Sequence, residues 1–534
     1  MQVPGLSSAD RSRSPPDIRI PREYNAAYDL LARNLQAGRA AKIAYIDDRG
    51  SFSYGELADR VKRFAHALLQ LGIHPEQRVL LCLQDTVDFP VAFLGSIWAG
   101  VIPVAVNTSL KSADYRHLLS DSRARALIVS HPLLPQFSPF LHEIGHRLHV
   151  IVSEGSEPFT YALEQLVAQG DPAIGPAATC CDDACFWLYS SGSTGSPKGT
   201  VHLQSSLIQT AELYARPVLG VEESDVIFSA AKLFFAYGLG NALTFPLAVG
   251  ATTVLMRERP TADAIFARLR AHQPTLFCGV PTLYAAMLAS KLPEPEDLKL
   301  RGCVSAGEAL PREIGERWHR HFGVPILDGI GSTEMLHIFL SNQFHDVCYG
   351  TTGSVVPGYE VRLVDEAGAD VRPGEIGELL VSGPTCAAGY WNNRTRSQQT
   401  FQGRWTRSGD KYYIDSNGHY VHAGRADDML KVSGLYVSPV EVESALLSHP
   451  GVLEAAVIGT QDRDGLTKPL ACIVLKNHAE AGAALAEQLQ QHVKRQLAPH
   501  KYPRRVEFLN ELPKTATGKV QRFKLRELFG QALA

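Results

Sequence analysis

Residues 184–199 read ACFWLYSSGSTGSPKG, an apolar run that breaks into a loop of glycines, hydroxyl residues and one lysine. The apolar run has the length and aromatic content of a buried strand. Gly192, Gly195 and Gly199 permit positive φ and close backbone approach. Ser190, Ser191, Ser193 and Thr194 add hydroxyl donors, and Lys198 adds a positive charge. This is the chemistry of a polyphosphate cradle. It is not a Walker A loop, because Gly-Lys-[Ser/Thr] is absent at the required spacing. A surface linker has a similar composition. The position of this loop, between a buried strand and what reads as a following helix, speaks against a linker.

Toward the N-terminus, strand and helix patterns alternate. SYGELADRVKRFAHALLQLGI (53–73) has apolar residues at helical spacing, with Gly72 as a stop signal. RVLLCLQ (78–84), ALIVS (126–130) and HVIVS (149–153) read as buried strands. The charge-free run Phe89–Val106 reads as a buried helix to about Ala99, a Gly100 cap and a strand; Pro90, Gly95, Gly100 and Pro103 argue against a membrane span. Residues 1–17 lack an apolar stretch and read as a disordered arm, not a secretory signal. Beyond residue 199, loops follow the apolar runs VIFSAA (226–231), TLFCGV (275–280), GCVSAG (302–307) and VPILDGI (324–330). Ligands bind beyond the carboxyl ends of strands in open α/β sheets, so these loops are the first candidates for a site. A β-rich stretch follows from 350 to 425. After Gly424 come a loop, a strand and a capped helix, then strands EAAVIGT and PLACIVLK and an amphipathic helix over 481–499. The expectation is an α/β fold. A large N-terminal domain (1–426) holds parallel-rich αβ subdomains and a small β-rich one, followed by a smaller, mobile α+β C-terminal domain (427–534).

The chain has 534 residues, 45% of them hydrophobic and 20% charged, so it can bury a large core without metals or disulfides. Its charge of −3 gives no basic balance toward nucleic acid or anionic lipid. The nine cysteines are an odd number scattered through apolar stretches, which favours reduced thiols in a cytoplasmic protein. Cys180, Cys181 and Cys185 lack a second Cys/His pair at zinc-ligand spacing.

Several motifs then follow in order: Ser305-Ala306-Gly307-Glu308, Gly329-Ile330-Gly331-Ser332-Thr333-Glu334, Trp405 to Asp410, Gly424 to Asp428, and Pro513 to Lys519. With the loop at 189–199, this set resembles the adenylate-forming enzymes: acyl-CoA ligases, luciferases and nonribosomal adenylation domains. The resemblance covers nearly the whole chain. It implies that ATP attaches to the serine- and glycine-rich loop (Ser190 to Gly195, and Lys198), to Ala306, Gly307 and Glu308, and to Gly329, Ile330 and Ser332. It also implies a ribose contact from Asp410 and a ribose or phosphate contact from Arg425. Glu334 would be the Mg²⁺ ligand, with Thr333 beside it on a phosphate. Lys519 would reach the substrate carboxylate and the α-phosphate. In this family the C-terminal domain rotates between half-reactions. Asp427 would be the hinge, with Asp428 one residue away, and Lys431, Ser433, Gly434 and Leu435 would face coenzyme A.

The stretches KLFFAYGLGN and DGIGSTEMLHIFLSN resemble benzoate–CoA ligases in particular. That implies an acid pocket formed by Ala231, Phe235, Tyr237, Gly238, Gly331, His337 and Ile338. Apart from Glu334 these stretches carry no carboxylate, so an amino-acid ammonium group would go unpaired. His337 is the one polar side chain placed to orient the acid; a structural histidine is the equal alternative. The reading is an ATP-dependent, AMP-forming benzoate–CoA ligase using ATP, Mg²⁺ and coenzyme A, with no nucleic-acid or membrane partner and with a homodimer left open. The alternatives are a ligase for another aryl or medium-chain acid, a standalone adenylation enzyme loading a carrier protein, and a non-catalytic adenylate or acyl-CoA sensor. With the chain ending at Ala534 there is no room for a carrier domain, which favours a standalone ligase. Intact Lys519, Glu334 and Asp410 argue against the sensor.

Overall fold

A computed structural model describes residues 4–144, 148–190, 197–426, 428–432, 435–461, 466–477, 481–514 and 520–529. The helix Tyr54–Gln70 begins at Ser53, whose hydroxyl accepts from the Glu56 amide while the Glu56 carboxylate accepts from the Ser53 amide. This reciprocal cap satisfies two otherwise orphaned donors. Its apolar face, Leu57, Val61, Phe64 and Leu68, is fully buried and packs on the helix Asp88–Trp98. Gly100 then turns at φ 73° into the strand Ile102–Ala105. No helix among the described residues is long and apolar enough to cross a membrane.

Two large sheets organise the N-terminal region. One orders Gly389–Tyr390, Lys198–Leu203, Ala184–Ser190, Ile102–Ala105, Arg78–Cys82, Ala126–Ser130, His149–Ser153 and Tyr161–Ala162. Apart from its two antiparallel pairings at the Gly389–Tyr390 edge, its neighbours run parallel. The other runs Ser354–Val355, Ile338–Ser341, Ile326–Gly331, Gly302–Ser305, Leu276–Gly279, Val226–Ser229, Thr252–Val254, Ile43–Asp47 and Gly50–Ser53, parallel from Ile326–Gly331 through Ile43–Asp47. One apolar core contains side chains from both sheets and from the helices between them. A smaller antiparallel sheet is built on Gly377–Ser382 and Trp405–Ile414. From residue 430 onward, a hairpin (Leu430–Val432 with Leu435–Val437) and a three-stranded sheet pack with the helices Pro439–Leu447 and Ala483–Gln496 around a core of their own. The fold is the expected α/β architecture, with a large N-terminal and a small C-terminal part.

Three local expectations change. The N-terminal arm is ordered: Ser8–Asp10 and Asp17–Arg19 pair as a hairpin, turned by Asp10, which accepts from the Ser12 amide. The serine- and glycine-rich loop leads into a strand, not a helix. Lys198–Leu203 pairs antiparallel with Ala184–Ser190, placing Ser190 opposite Lys198. Thr200 and Val201 are β-branched and the following helix starts only at Ser206, so the strand propensity of GTVHL prevails. The single strand expected after residue 427 is a two-stranded hairpin.

Candidate active site

The ends of four parallel strands lie side by side. Ser229 is opposite Cys278, Gly279 opposite Ser305, and Ser305 opposite Asp328. This brings together the segments at 229–240, 305–308 and 328–334, three of the loops marked in the sequence. The strand Lys198–Leu203 joins them through His202, whose Nε2 lies 2.8 Å from the Thr333 carbonyl. His202 is fully buried against Phe186, and burial pushes its pKa from 6.5 down to about 4. It is therefore neutral, with Nε2–H donating to Thr333.

Ser190 and Lys198 pair across the two strands; Ser191, Gly192, Ser193, Thr194 and Gly195 lie outside the described residues. The Lys198 ammonium stands 4.5 Å above the Tyr390 ring and 3.4 Å from its hydroxyl. That hydroxyl donates to Glu334 Oε1 at 2.7 Å. Burial lowers the Lys198 pKa, and the Glu334 charge partly restores it. Tyr390 is held there because its strand pairs with Thr200 and Val201, while the Ala387 amide donates to the Glu334 carbonyl at 2.8 Å. Glu334 is half-buried beside a cation and a phenol, an exposed-edge carboxylate of the hard-oxygen type that suits Mg²⁺. Ser332 caps the turn by accepting from the Met335 amide.

Asp410 is buried, directly across the ladder from Arg425. Arg425 Nη1 donates to its Oδ1 at 3.2 Å and His422 Nε2 is 3.5 Å away. Burial alone would raise the Asp410 carboxyl; the His422 hydrogen bond and the Arg425 charge outweigh it and hold its pKa below the ordinary value. Ala306 is buried, Gly307 is exposed at φ 96°, and Glu308 accepts from the Val520 amide at 3.2 Å. The C-terminal part is thus seated against this segment. Lys519 and the hinge candidate Asp427 lie outside the described residues, as do Ser433 and Gly434; the backbone register of the hairpin pairs Lys431 with Tyr436 and Leu435 with Val432.

Ala231, Phe235 and Tyr237 are partly buried, and the Tyr237 ring stands 5.8 Å from that of His337. Gly238 fits only as glycine, since a Cβ would stand 2.0 Å from the Lys232 carbonyl oxygen. At Gly331 a Cβ would meet the His337 carbonyl at 2.5 Å. The Tyr237 hydroxyl donates between the carbonyls of Gly279 (3.2 Å) and Val304 (3.0 Å), so its proton is committed to backbone. Lys232 turns its ammonium to the Met256 and Glu258 carbonyls. Ile338 is buried under Gly329, and His337 is buried behind Tyr237 with Nε2 3.3 Å from the Tyr237 carbonyl. Leu336, at φ 66°, holds a left-handed turn that costs a non-glycine residue about 1–3 kcal/mol and directs His337 inward.

Burial pushes His337 down to about 3 from 6.5. His202 and His337 are thus both neutral when folded, and an unfolded chain would protonate them near 6.5. Stability present above that pH is expected to fall as pH drops toward the folded values, by about 1.4 kcal/mol per pH unit for each ring. His337→Gln should remove one ring's share of that slope in urea unfolding between about pH 4.5 and 6.5. An unchanged slope would mean that His337 protonates within the fold.

Residues 32–391 match the family model described as AMP-binding enzyme, and residues 441–519 match the AMP-binding enzyme C-terminal domain. The chain belongs to the AMP-binding enzyme family. Within this adenylate-forming family it is 60% identical over 524 residues to a benzoate–CoA ligase of Thauera aromatica, spanning 98% of this chain and 99% of that protein. It is 52% identical to a 4-hydroxybenzoate–CoA/benzoate–CoA ligase of Rhodopseudomonas palustris, over 95% and 94% of the two chains. A crystal structure of a benzoate CoA ligase from Burkholderia xenovorans LB400 superposes with a TM-score of 0.89 at 58% identity, covering 94% of this chain and all of that one, 100%. Three side chains near the AMP-binding motifs escaped the sequence reading: His202, Tyr390 and His422. His202 and Tyr390 gain their places from partners far along the chain, and His422 gains its place from the neighbouring strand that carries Asp410.

Proposed function

We propose that this AMP-binding enzyme is an ATP-dependent benzoate–CoA ligase. The observation that carries the reading is the near-full-length likeness to relatives that act on benzoate, with the partly buried aromatic residues Phe235 and Tyr237 in the segment that packs on His337. In the first step a benzoate oxygen attacks the α-phosphorus of ATP, the bond to the bridging oxygen breaks and pyrophosphate leaves. In the second, the sulfur of coenzyme A attacks the acyl carbonyl, the thiol gives up its proton and AMP departs.

Ser190 and Lys198 would receive the phosphates with the loop between them, and Thr333 would bond a phosphate oxygen. Glu334 would hold Mg²⁺, which supplies charge neutralisation on the phosphates when bound. Asp410 would accept both ribose hydroxyls, with Arg425 and His422 keeping it ionised. Ala306, Gly307 and Glu308 would flank the adenine, with Gly329, Ile330 and Ser332 opposite. Ala231, Phe235, Tyr237, Gly238 and Gly331 would enclose the ring; Ile338 and His337 would back it from beneath. We place the domain boundary at 426/427 with Asp427 as pivot, supported by separate apolar cores on its two sides, and Lys519 as the cation shared by carboxylate and α-phosphate. Lys431, Ser433, Gly434 and Leu435 would meet coenzyme A after rotation. A cytoplasmic location, where ATP and coenzyme A are available, fits this reading.

The substrate range follows from the cleft. The Tyr237 proton is committed to backbone carbonyls, so a para-hydroxyl would be buried with a poor partner, costing about 1–3 kcal/mol. That is about ten- to a hundredfold in kcat/KM. Benzoate should be used best, 2-fluorobenzoate nearly as well, 4-hydroxybenzoate less well and octanoate least. Pyrophosphate release measured for the four acids tests this. Preference for 4-hydroxybenzoate or octanoate would overturn the benzoate assignment.

A further inference from the structure

The turn of the N-terminal hairpin carries Arg11, which makes a bidentate bond to Glu212: Nε to Oε2 at 2.8 Å and Nη2 to Oε1 at 2.7 Å. The Glu212 side chain is 2% exposed, so its charge needs a partner inside the protein. Arg216 approaches the same carboxylate at 3.3 Å from the next turn and ties its own guanidinium to the Ala248 carbonyl at 3.0 Å.

Glu212 lies in a π-helical segment, Ala211–Ala215. Such segments are rare and are kept where surrounding contacts over-determine them. The same turn carries Tyr214, whose ring stands 5.3 Å from His337 and 6.0 Å from Phe245. Phe245 in turn meets His337 edge-on at 4.6 Å. His337 Nδ1 is buried without a hydrogen-bond partner among the described residues and Nε2 lies 3.3 Å from the Tyr237 carbonyl, so the ring's tilt is set by that one polar contact and these aromatic neighbours. A continuous chain of contacts therefore runs from the N-terminal hairpin to the back wall of the acid cleft.

We propose that Arg11 is a positioning residue for acid selection. By pairing with Glu212 it holds the π-helical turn that seats Tyr214 against His337, and this sets the width of the slot for the aromatic ring. The inference rests on the reading of His337 and Tyr237 as the acid pocket. A wider slot would bind benzoate less tightly and discriminate less against a ring substituent, while the nucleotide side of the site would be untouched.

The test is steady-state kinetics of the full-length enzyme with benzoate, 3-methylbenzoate and ATP. Arg11→Ala should raise KM for benzoate about tenfold, narrow the preference for benzoate over 3-methylbenzoate about fivefold, and leave KM for ATP within about twofold. Arg11→Lys keeps the charge but only one arm of the bidentate bond, and should show about a threefold loss of that preference. A merely structural arm would lower kcat for both acids alike with unchanged selectivity; that result overturns the proposal. So does wild-type selectivity in Arg11→Lys, even if Arg11→Ala fails to fold. His337→Ala separates the two readings. Unchanged acid selectivity in that variant removes the pocket assignment itself, whereas altered selectivity there with none in the Arg11 variants removes the role of Arg11 alone.

Discussion

Lys519→Ala is expected to cut pyrophosphate release from benzoate and ATP by about a hundred- to a thousandfold, the loss seen when one preorganised charge donor is taken from a reaction centre. Two anions must meet in the first step, the benzoate carboxylate and the α-phosphate, and a cation between them offsets their repulsion. In the thioester step the acyl group is already activated and that repulsion is gone. Supplied benzoyl-adenylate should therefore still react with coenzyme A at close to the wild-type rate. The residue after Lys519 is anchored to the adenylate side of the site: the Val520 amide donates to Glu308, and Val520 bridges back to Lys514. Single-turnover assays of the two half-reactions decide the matter. Equal loss in both would mean that Lys519 serves the fold or both steps.

Asp410→Ala should act differently. The adenylate keeps its ribose, so a carboxylate that holds the ribose would serve both half-reactions. Two hydrogen bonds to a charged acceptor contribute about 1.5–3 kcal/mol each, so KM for ATP should rise by about a hundredfold or more. KM for benzoate should move little. Because the folded carboxyl sits below its usual 3.8, its contribution to stability is fully present above that pH and is lost only as pH falls through the lower, folded value. The variant's ATP defect should therefore be the same across neutral pH. If KM for benzoate rises in step with that for ATP, Asp410 holds the sheet together instead of the ribose.

Local chemistry made much of this molecule legible. Apolar residues at helical spacing announce the helix over 53–73, Gly72 its stop, and alternating strand and helix patterns announce parallel sheet. The motifs were legible because their residue types carry their chemistry: glycine for close approach, carboxylate for a cation or a ribose, lysine for phosphate. What escaped was set by distant partners. The strand Lys198–Leu203 follows the strand propensity of its own residues, but Gly389–Tyr390, which pairs on its outer side, comes from far along the chain. Tyr390 matters because it bridges Lys198 and Glu334, and the arm at 8–19 is ordered because Arg11 finds Glu212. The acid pocket was read as a lining of side chains, yet His337 and Ile338 lie a layer behind it, since Gly329 and Gly331 let the strand close over them.

The nine-stranded sheet carries one more consequence, for how the chain comes to be folded. Its strand Ile43–Asp47 pairs through Tyr45 and Ile46 with Thr253 and Val254, partners that leave the ribosome some two hundred residues later; at about 5–20 residues per second that is a wait of roughly ten to forty seconds. During that time the early strand and its hairpin mate Gly50–Ser53 present an open inner edge of the kind that recruits other chains. Contacts of such long sequence separation also fold slowly once complete. A fragment ending before residue 250 would carry the capped helix Tyr54–Gln70 but lack the strand Thr252–Val254 that pairs with Ile43–Asp47.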